Sequence, residues 1–296
     1  MFQYAHKPIA DKGSENQIMD WDLTVTSKGK LINIKLRELI HYRDLIVMFF
    51  VRDFTTTYKQ TILGPLWHII NPLFSTLVYA FLFGGIAGIG TDGIPQLLFY
   101  FGGTMLWAFF SACLSNASNI FITNAGVFGK VYFPRLSVPI ATMLSAVLKM
   151  LIQFAMLMIF LIYYIFTGSP VHPGPMALFF PLIILWLGAL GTGLGMIMSS
   201  LTTKYRDLRQ VLDLALRLAM YVTPVVYPLS QVPERFTFFF YINPVSAPVE
   251  LFRIWFYGMG SVPDSMIILS ISTTILVVFF GLILFSRNER TCMDVI

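Results

Sequence analysis

The chain reads as an all-α membrane protein with six transmembrane helices, an N-terminal interfacial amphipathic helix, and short outer-face re-entrant helices between spans five and six. Three observations predict this. First, 56% of its 296 residues are apolar, 12% are charged, and the mean hydropathy is +0.74; no water-soluble surface can be assembled from what remains. Second, the apolar residues gather into runs of the roughly 20 residues that a crossing helix needs. Third, the cations fall in alternate connections, as the positive-inside rule requires of a multi-pass chain.

The elements follow in order. Residues 1–34 form a polar segment without the apolar core of a cleaved signal peptide, so the N-terminus is expected to stay on the cytoplasmic side. Residues 35–60 are the interfacial helix and its connector. Leu36, Leu39, Ile40, Val47 and Phe50 fall at helical spacing, and Arg37, His41 and Asp44 take another face. The run Leu45–Val51 is too short to cross. Residues 61–290 hold the six spans, near 65–88, 95–121, 137–166, 177–200, 208–228 and 265–285, and 291–296 are a cytoplasmic tail. Entry into the first span is set by Arg52, Tyr58 and Lys59, which hold the preceding segment at the surface, then by the turn at Gly64-Pro65 and by Trp67 at headgroup level.

Charge placement tests this topology. The segment through Lys59 carries nine Lys/Arg, and further cations sit at Lys130 and Arg135, at Lys204, Arg206 and Arg209, and at Arg287 and Arg290. The alternate connections are nearly bare, so both termini are expected in the cytoplasm. Phe236–Tyr257 is apolar enough to imitate a seventh span. Pro244, Pro248, Glu250 and Arg253 argue instead for two short re-entrant helices broken at Asn243-Pro244.

Composition excludes other classes. The net charge of +5 is distributed as membrane anchoring, not as a nucleic-acid surface. Cys113 and Cys292 have neither metal-ligand spacing nor a setting for a disulfide. No phosphate loop is present, because Gly29-Lys30 and Gly129-Lys130 lack both the hydroxyl and the upstream glycine. The chain is therefore not expected to hydrolyse ATP, and it has no constellation for metalloprotease or nucleophilic chemistry. The carboxylates placed outside, Asp92, Glu234, Glu250 and Asp264, are scattered through turns, which weighs against a membrane-bound glycan-processing enzyme.

Four motifs in order then carry a resemblance over nearly the whole chain: RDFTTTYKQTILGPLWHIINP from Arg52, NAGVFGKVYFPRLSVP from Asn124, KYRDLRQ from Lys204, and the pair TPVVYPLSQVPE and NPVSAPVELFR from Thr223 to Arg253. They resemble the permease subunits of bacterial ABC-2 type exporters of O-antigen, teichoic acid and capsular polysaccharide. The resemblance implies a dimer working with two copies of a nucleotide-binding ABC ATPase, in the inner membrane, on a lipid-linked polysaccharide. ATP and Mg would be bound by the partner, with no cofactor in this chain, and the re-entrant helices would be periplasmic. O-antigen is the first choice of cargo, with teichoic acid or capsule next and an exporter of small lipids or drugs behind. It further implies that Lys130, Tyr132, Phe133, Pro134 and Arg135, with Lys204, Tyr205, Arg206, Asp207 and Arg209, contact the ATPase. For any one of those cations, ordinary positive-inside anchoring is an equally physical account.

Candidates for the path itself come from residue chemistry. Aromatic faces can stack on sugar rings without selecting one sugar, which nominates Tyr79, Trp107, Phe109, Phe110, Tyr221 and Tyr227, although packing and interfacial belts use the same residues. Thr142, Ser145, Lys149 and Gln153 make one polar stripe in span three. Lys149 lies about 11 residues, or roughly 16 Å, inside it. Such a stripe should face the bundle interior or a wet cavity, with snorkelling of the lysine as the alternative. Asp213 and Arg217 form an i,i+4 pair in span five. Glu250 and Arg253, i,i+3 on a short outer helix, are expected as a water-facing gate pair.

Overall fold

The computed structural model describes residues 2–4, 23–25, 42–58, 64–128, 133–205 and 207–291. The chain divides into a unit Met1–Ile34 and a unit Lys35–Ile296. In the first, β1 (Phe2–Tyr4) pairs antiparallel with β2 (Leu23–Val25) in the register Phe2↔Val25, an addition to the all-α expectation. The regular elements among the described residues of the second unit are all helices, and five of them are long and apolar enough to cross a membrane.

Helix α1 (Arg43–Tyr58) precedes the first of these. Its apolar residues wrap the whole helix, so the face assigned from spacing is not the face that packs. Phe49 is buried while Val47, Met48 and Val51 are exposed. Residues 35–41 of the expected interfacial helix lie outside the described residues, as do Lys59, Lys130, Tyr132, Arg206 and Cys292, and the side chain of Tyr58.

The first span is α2 (Trp67–Tyr79) continued by a π-helical turn, Ala80–Ile86. Only 6% of its apolar window is covered by the rest of the chain, against 78% for α3 (Gln96–Ser118), which makes α3 the central helix. Helices α4 (Ser137–Phe166) and α5 (Phe180–Lys204) flank α3, and α9 (Asp264–Thr291) packs on α5. Lipid tails supply no hydrophobic drive between helices, so close approach of backbones has to do the work. A Cβ on Gly195 would stand 2.5 Å from both Leu114 O and Ala117 Cβ of α3, and one on Gly281 would stand 2.6 Å from Gly193 O. Two hydrogen bonds lock these seams, Thr202 Oγ1 to Ser118 O at 2.6 Å and Trp186 Nε1 to Thr274 Oγ1 at 3.0 Å.

The segment expected as span five differs from its prediction. It forms α6 (Leu208–Ala219), a 3-10 turn at Met220–Val222, and then turns up to Pro228, not one helix over 208–228. Pro224 and Pro228 cannot donate to a helix ladder, and Thr223 turns its hydroxyl back to Ala219 O at 2.9 Å. Asp213 and Arg217 are both exposed, and no ion pair joins them among the described residues. Beyond this come two short helices that meet at Asn243-Pro244 where the sequence places the break: α7 (Glu234–Ile242) and α8 (Ser246–Tyr257). Asn243 holds the junction, donating to Thr223 Oγ1 at 2.8 Å and accepting from Val245 N at 3.0 Å. Gly258, with φ of 70°, ends α8 in the left-handed conformation that glycine takes without a Cβ clash.

Candidate functional site

A polar cavity of about 280 Å³ opens where α1, the end of α3, the first half of α4 and the start of α6 converge. Helix α4 contributes Thr142, Ser145 and Lys149, three of the four stripe residues. The expectation that this stripe faces the interior or a wet cavity therefore matches their placement. The fourth, Gln153, is buried one turn further along, and its Oε1 has no hydrogen-bond partner. From α1 come Arg52, Asp53 and Thr56, and from α6 comes Arg209. The remaining lining is Ser115, Asn116, Asn119, Thr123 and Asn124, at and just beyond the end of α3.

That last group was not singled out from the sequence. A signal was there: Ser115, Asn119 and Thr123 recur at i,i+4, a polar stripe continuing past an apolar run.

The electrostatics are uneven. Arg52 chelates Asp53 with Nη2 at 2.8 Å and Nε at 3.1 Å, and the same Nη2 reaches Asn124 Oδ1 at 3.1 Å. Lys149 is half-buried, and no hydrogen bond or ion pair to its ammonium occurs among the described residues. Asn119, 7% exposed, donates its amide to Ser115 O at 2.9 Å and leaves Oδ1 without a partner. Among the described lining residues, three cations face one carboxylate, an excess of two positive charges.

Arg52 also belongs to a second structure. Its guanidinium lies 4.7 Å from the Phe49 ring centroid; Phe49 meets Phe133 at 5.6 Å, and Phe133 meets Phe128 at 5.6 Å. Phe121 stacks on Phe285 of α9 at 5.0 Å, closing the aromatic cluster. Phe133 and Pro134 were expected to meet a partner protein. Phe133 is instead buried in this cluster, and Arg135, expected as a docking cation, is 5% exposed with its guanidinium 5.3 Å from Phe128. Phe133 thereby packs on α1 through Phe49, while Arg135 lies over Phe128 of its own segment. On the other expected docking loop, Lys204, Tyr205, Asp207 and Arg209 are exposed, with the Lys204 ammonium 5.2 Å from the Tyr205 ring.

The opposite end of α3 holds a different arrangement. Arg253 and Glu250 are each 2% exposed and bonded at 2.6 Å. Arg253 also donates to Val225 O at 3.3 Å and lies 3.8 Å from the Phe99 centroid. Burial pushes the Glu250 carboxyl up from the usual carboxylate range, with the Arg253 guanidinium pulling it back. The water-facing gate pair expected from sequence is thus an interior one. Its i,i+3 spacing was legible, but the contacts that bury it come from Phe99 and Val225, distant in sequence. Beside it, Tyr257 donates to Leu98 O at 2.9 Å, pinning α8 to α3.

The aromatic candidates separate by burial. Trp107, Phe109 and Phe110 are core, 7%, 2% and 4% exposed, and line neither the polar cavity nor the apolar one at Tyr227. Tyr79 is half-buried beside Phe83, Tyr221 is exposed, and the Tyr227 hydroxyl donates to Tyr221 O. Tyr227 also lines a largely apolar cavity of about 320 Å³ with Gln231, Phe236 and Phe240.

The described residues thus form a helical bundle of membrane-crossing length, with a cationic polar cavity at one end and an aromatic cluster beside it. The chain belongs to the ABC-2 type transporter family, whose model matches residues 44–257. It is 28% identical over 267 residues to an O-antigen export system permease protein RfbA of Klebsiella pneumoniae, covering 90% of this chain and all of that one. An RfbA of Myxococcus xanthus is 24% identical over 259 residues, 86% of this chain and 96% of the relative. The polysialic acid transport protein KpsM of Escherichia coli is 25% identical over 248 residues, 82% and 93%.

Proposed function

We propose that this chain is the membrane subunit of an ATP-driven exporter of lipid-linked O-antigen polysaccharide. It would work in the bacterial inner membrane as a pair, together with two copies of an ABC ATPase that bind ATP and Mg. The single observation that carries this reading is the end-to-end similarity to O-antigen export permeases, which covers 90% of this chain and the whole of one relative. The geometry supports it: Phe133 packs on Phe49 of α1 and Asn124 accepts from Arg52 of α1, so force applied at these residues would be passed to α1. The cation distribution favours six crossings with both termini cytoplasmic. Helix α6 and the turns up to Pro228 would make the fifth crossing, and α7 and α8 would re-enter from the periplasmic face.

The similarity to KpsM favours capsular polysaccharide as a second reading of the cargo. The test is co-expression with a candidate ABC ATPase from the same genome. The two proteins should co-purify, the isolated permease should show no ATP turnover, and deletion of the permease should remove O-antigen from the cell surface. Retained surface O-antigen with lost capsule selects the second reading, and ATP turnover by the permease alone refutes both.

A further inference from the structure

We propose that the polar cavity is a binding site for a membrane-anchored phosphate or diphosphate head group that carries hydroxyls, with Lys149, Arg52 and Arg209 as its anion ligands. This rests on the export reading and specifies where the head of the cargo is held.

Two features of the cavity point to such a ligand. Lys149 stands about 18 Å along α4 from Ser137, deep enough that an ammonium without a partner is costly. Among the described residues of the lining the one carboxylate is Asp53, bonded to Arg52. An anion entering the cavity would meet Lys149 and Arg209 without displacing an ion pair, and would share the Arg52 guanidinium with Asp53. Independently, Asn119 lines the same volume, and its Oδ1, closed to solvent as the cavity stands, has no partner among the described residues; an acceptor left so calls for a hydroxyl donor. Cations for phosphate and an amide acceptor for a hydroxyl together describe a phosphorylated polyol or sugar. A simple anion would leave Asn119 unsatisfied.

The site also has a route to the aromatic cluster. Arg52 is hydrogen-bonded to Asn124 and lies over Phe49, so a phosphate drawing on Arg52 competes with the contacts that seat the 124–136 segment. Occupancy of the cavity would be felt by the loop.

The experiment uses the full chain with its ATPase in phosphatidylcholine nanodiscs, and two probes: a short isoprenyl diphosphate bearing one hexose, and phosphatidylglycerol. Saturable binding of either probe is expected, weakened roughly tenfold by Lys149→Gln, as loss of one charge-assisted bond implies, and restored by Lys149→Arg. Arg209→Gln, on the exposed rim, should weaken it less and guards against misfolding of the Lys149 variant. Preference for the hexosyl diphosphate assigns the head to the carrier lipid, and equal binding assigns it to phospholipid. Absence of saturable binding, or binding indifferent to both substitutions, overturns the proposal. A complex that assembles and exports while showing that indifference sinks this site and leaves the export reading standing. Failure to assemble with the ATPase sinks the export reading whatever the cavity binds.

Discussion

At one end of α3, Arg253 and Glu250 are shut away as a bonded pair, 2% exposed on each side. At the other end, some 20 residues or about 30 Å along the helix, Lys149, Arg52 and Arg209 border an open polar volume. Both are charge clusters in an apolar chain, and their difference lies in where the counter-charge comes from. The Arg253–Glu250 pair is neutralised within the chain: carboxylate, carbonyl and aromatic face all meet one guanidinium, of which Nε alone lacks a partner. The cavity cluster has more cations than carboxylates among its described lining and leaves room beside them. A completed buried pair organises structure, whereas an incomplete one beside a cavity waits for something to bind.

The largest expected effect tests the outer half of this contrast. Glu250→Leu leaves the Arg253 charge buried without its carboxylate and should cost about 3–5 kcal/mol of stability, whereas the double variant Glu250→Leu/Arg253→Met should recover most of it. Thermal unfolding of purified protein followed by size exclusion reads both. A double variant as unstable as the single one would mean that the pair does more than neutralise itself.

Packing sets the next level. Gly195→Ala places a methyl 2.5 Å from Leu114 O and should cost about 1–3 kcal/mol through α3 and α5 being forced apart. This contact sits at the cavity end of α3, where Leu114 and Ala117 flank Ser115 and Asn116 of the lining, so head-group binding should weaken together with stability. Binding left unchanged would mean that the polar residues of the cavity hold their places independently of helix spacing. Smaller again is the neutral bond between Trp186 and Thr274. Trp186→Phe should cost about 0.6 kcal/mol, the scale measured for hydrogen bonds between membrane helices. A cost near that of Glu250→Leu would undo the ranking by charge.

The sequence shows some of this contrast and hides the rest. Five spans were readable because a crossing helix needs a fixed length of apolar residues, a local property. The break at Asn243-Pro244 was readable because proline constrains the residue before it. The end of α6 was missed: apolar residues continue through Val222 to Val226, and hydropathy does not register the donors that Pro224 and Pro228 lack. Trp107, Phe109 and Phe110 could not be sorted from sequence, since a lipid-facing, path-lining and core aromatic look alike in composition. Half of the inner cavity was visible as the Thr142–Lys149 stripe. Its completion by Arg52, which bonds Asn124 across 72 residues, depends on helix packing that no local pattern encodes.

The smallest expected change in stability is also the sharpest division between the two regions. Lys149→Met removes a half-buried ammonium that has no bonded partner among the described residues, so folding loses no ion pair and gains an apolar side chain of similar length. An unpaired cation at this depth opposes folding, and its removal should leave the thermal midpoint unchanged or raise it slightly. Export should nevertheless fall, because the charge that a phosphate head would meet is gone. The two readouts must therefore part company at Lys149, whereas at Glu250 they fall together. Surface polysaccharide and thermal midpoint measured on the same variant decide it. A destabilised Lys149→Met would show that the ammonium is held by the fold like Arg253, and an unchanged export would show that the cavity handles its cargo without it.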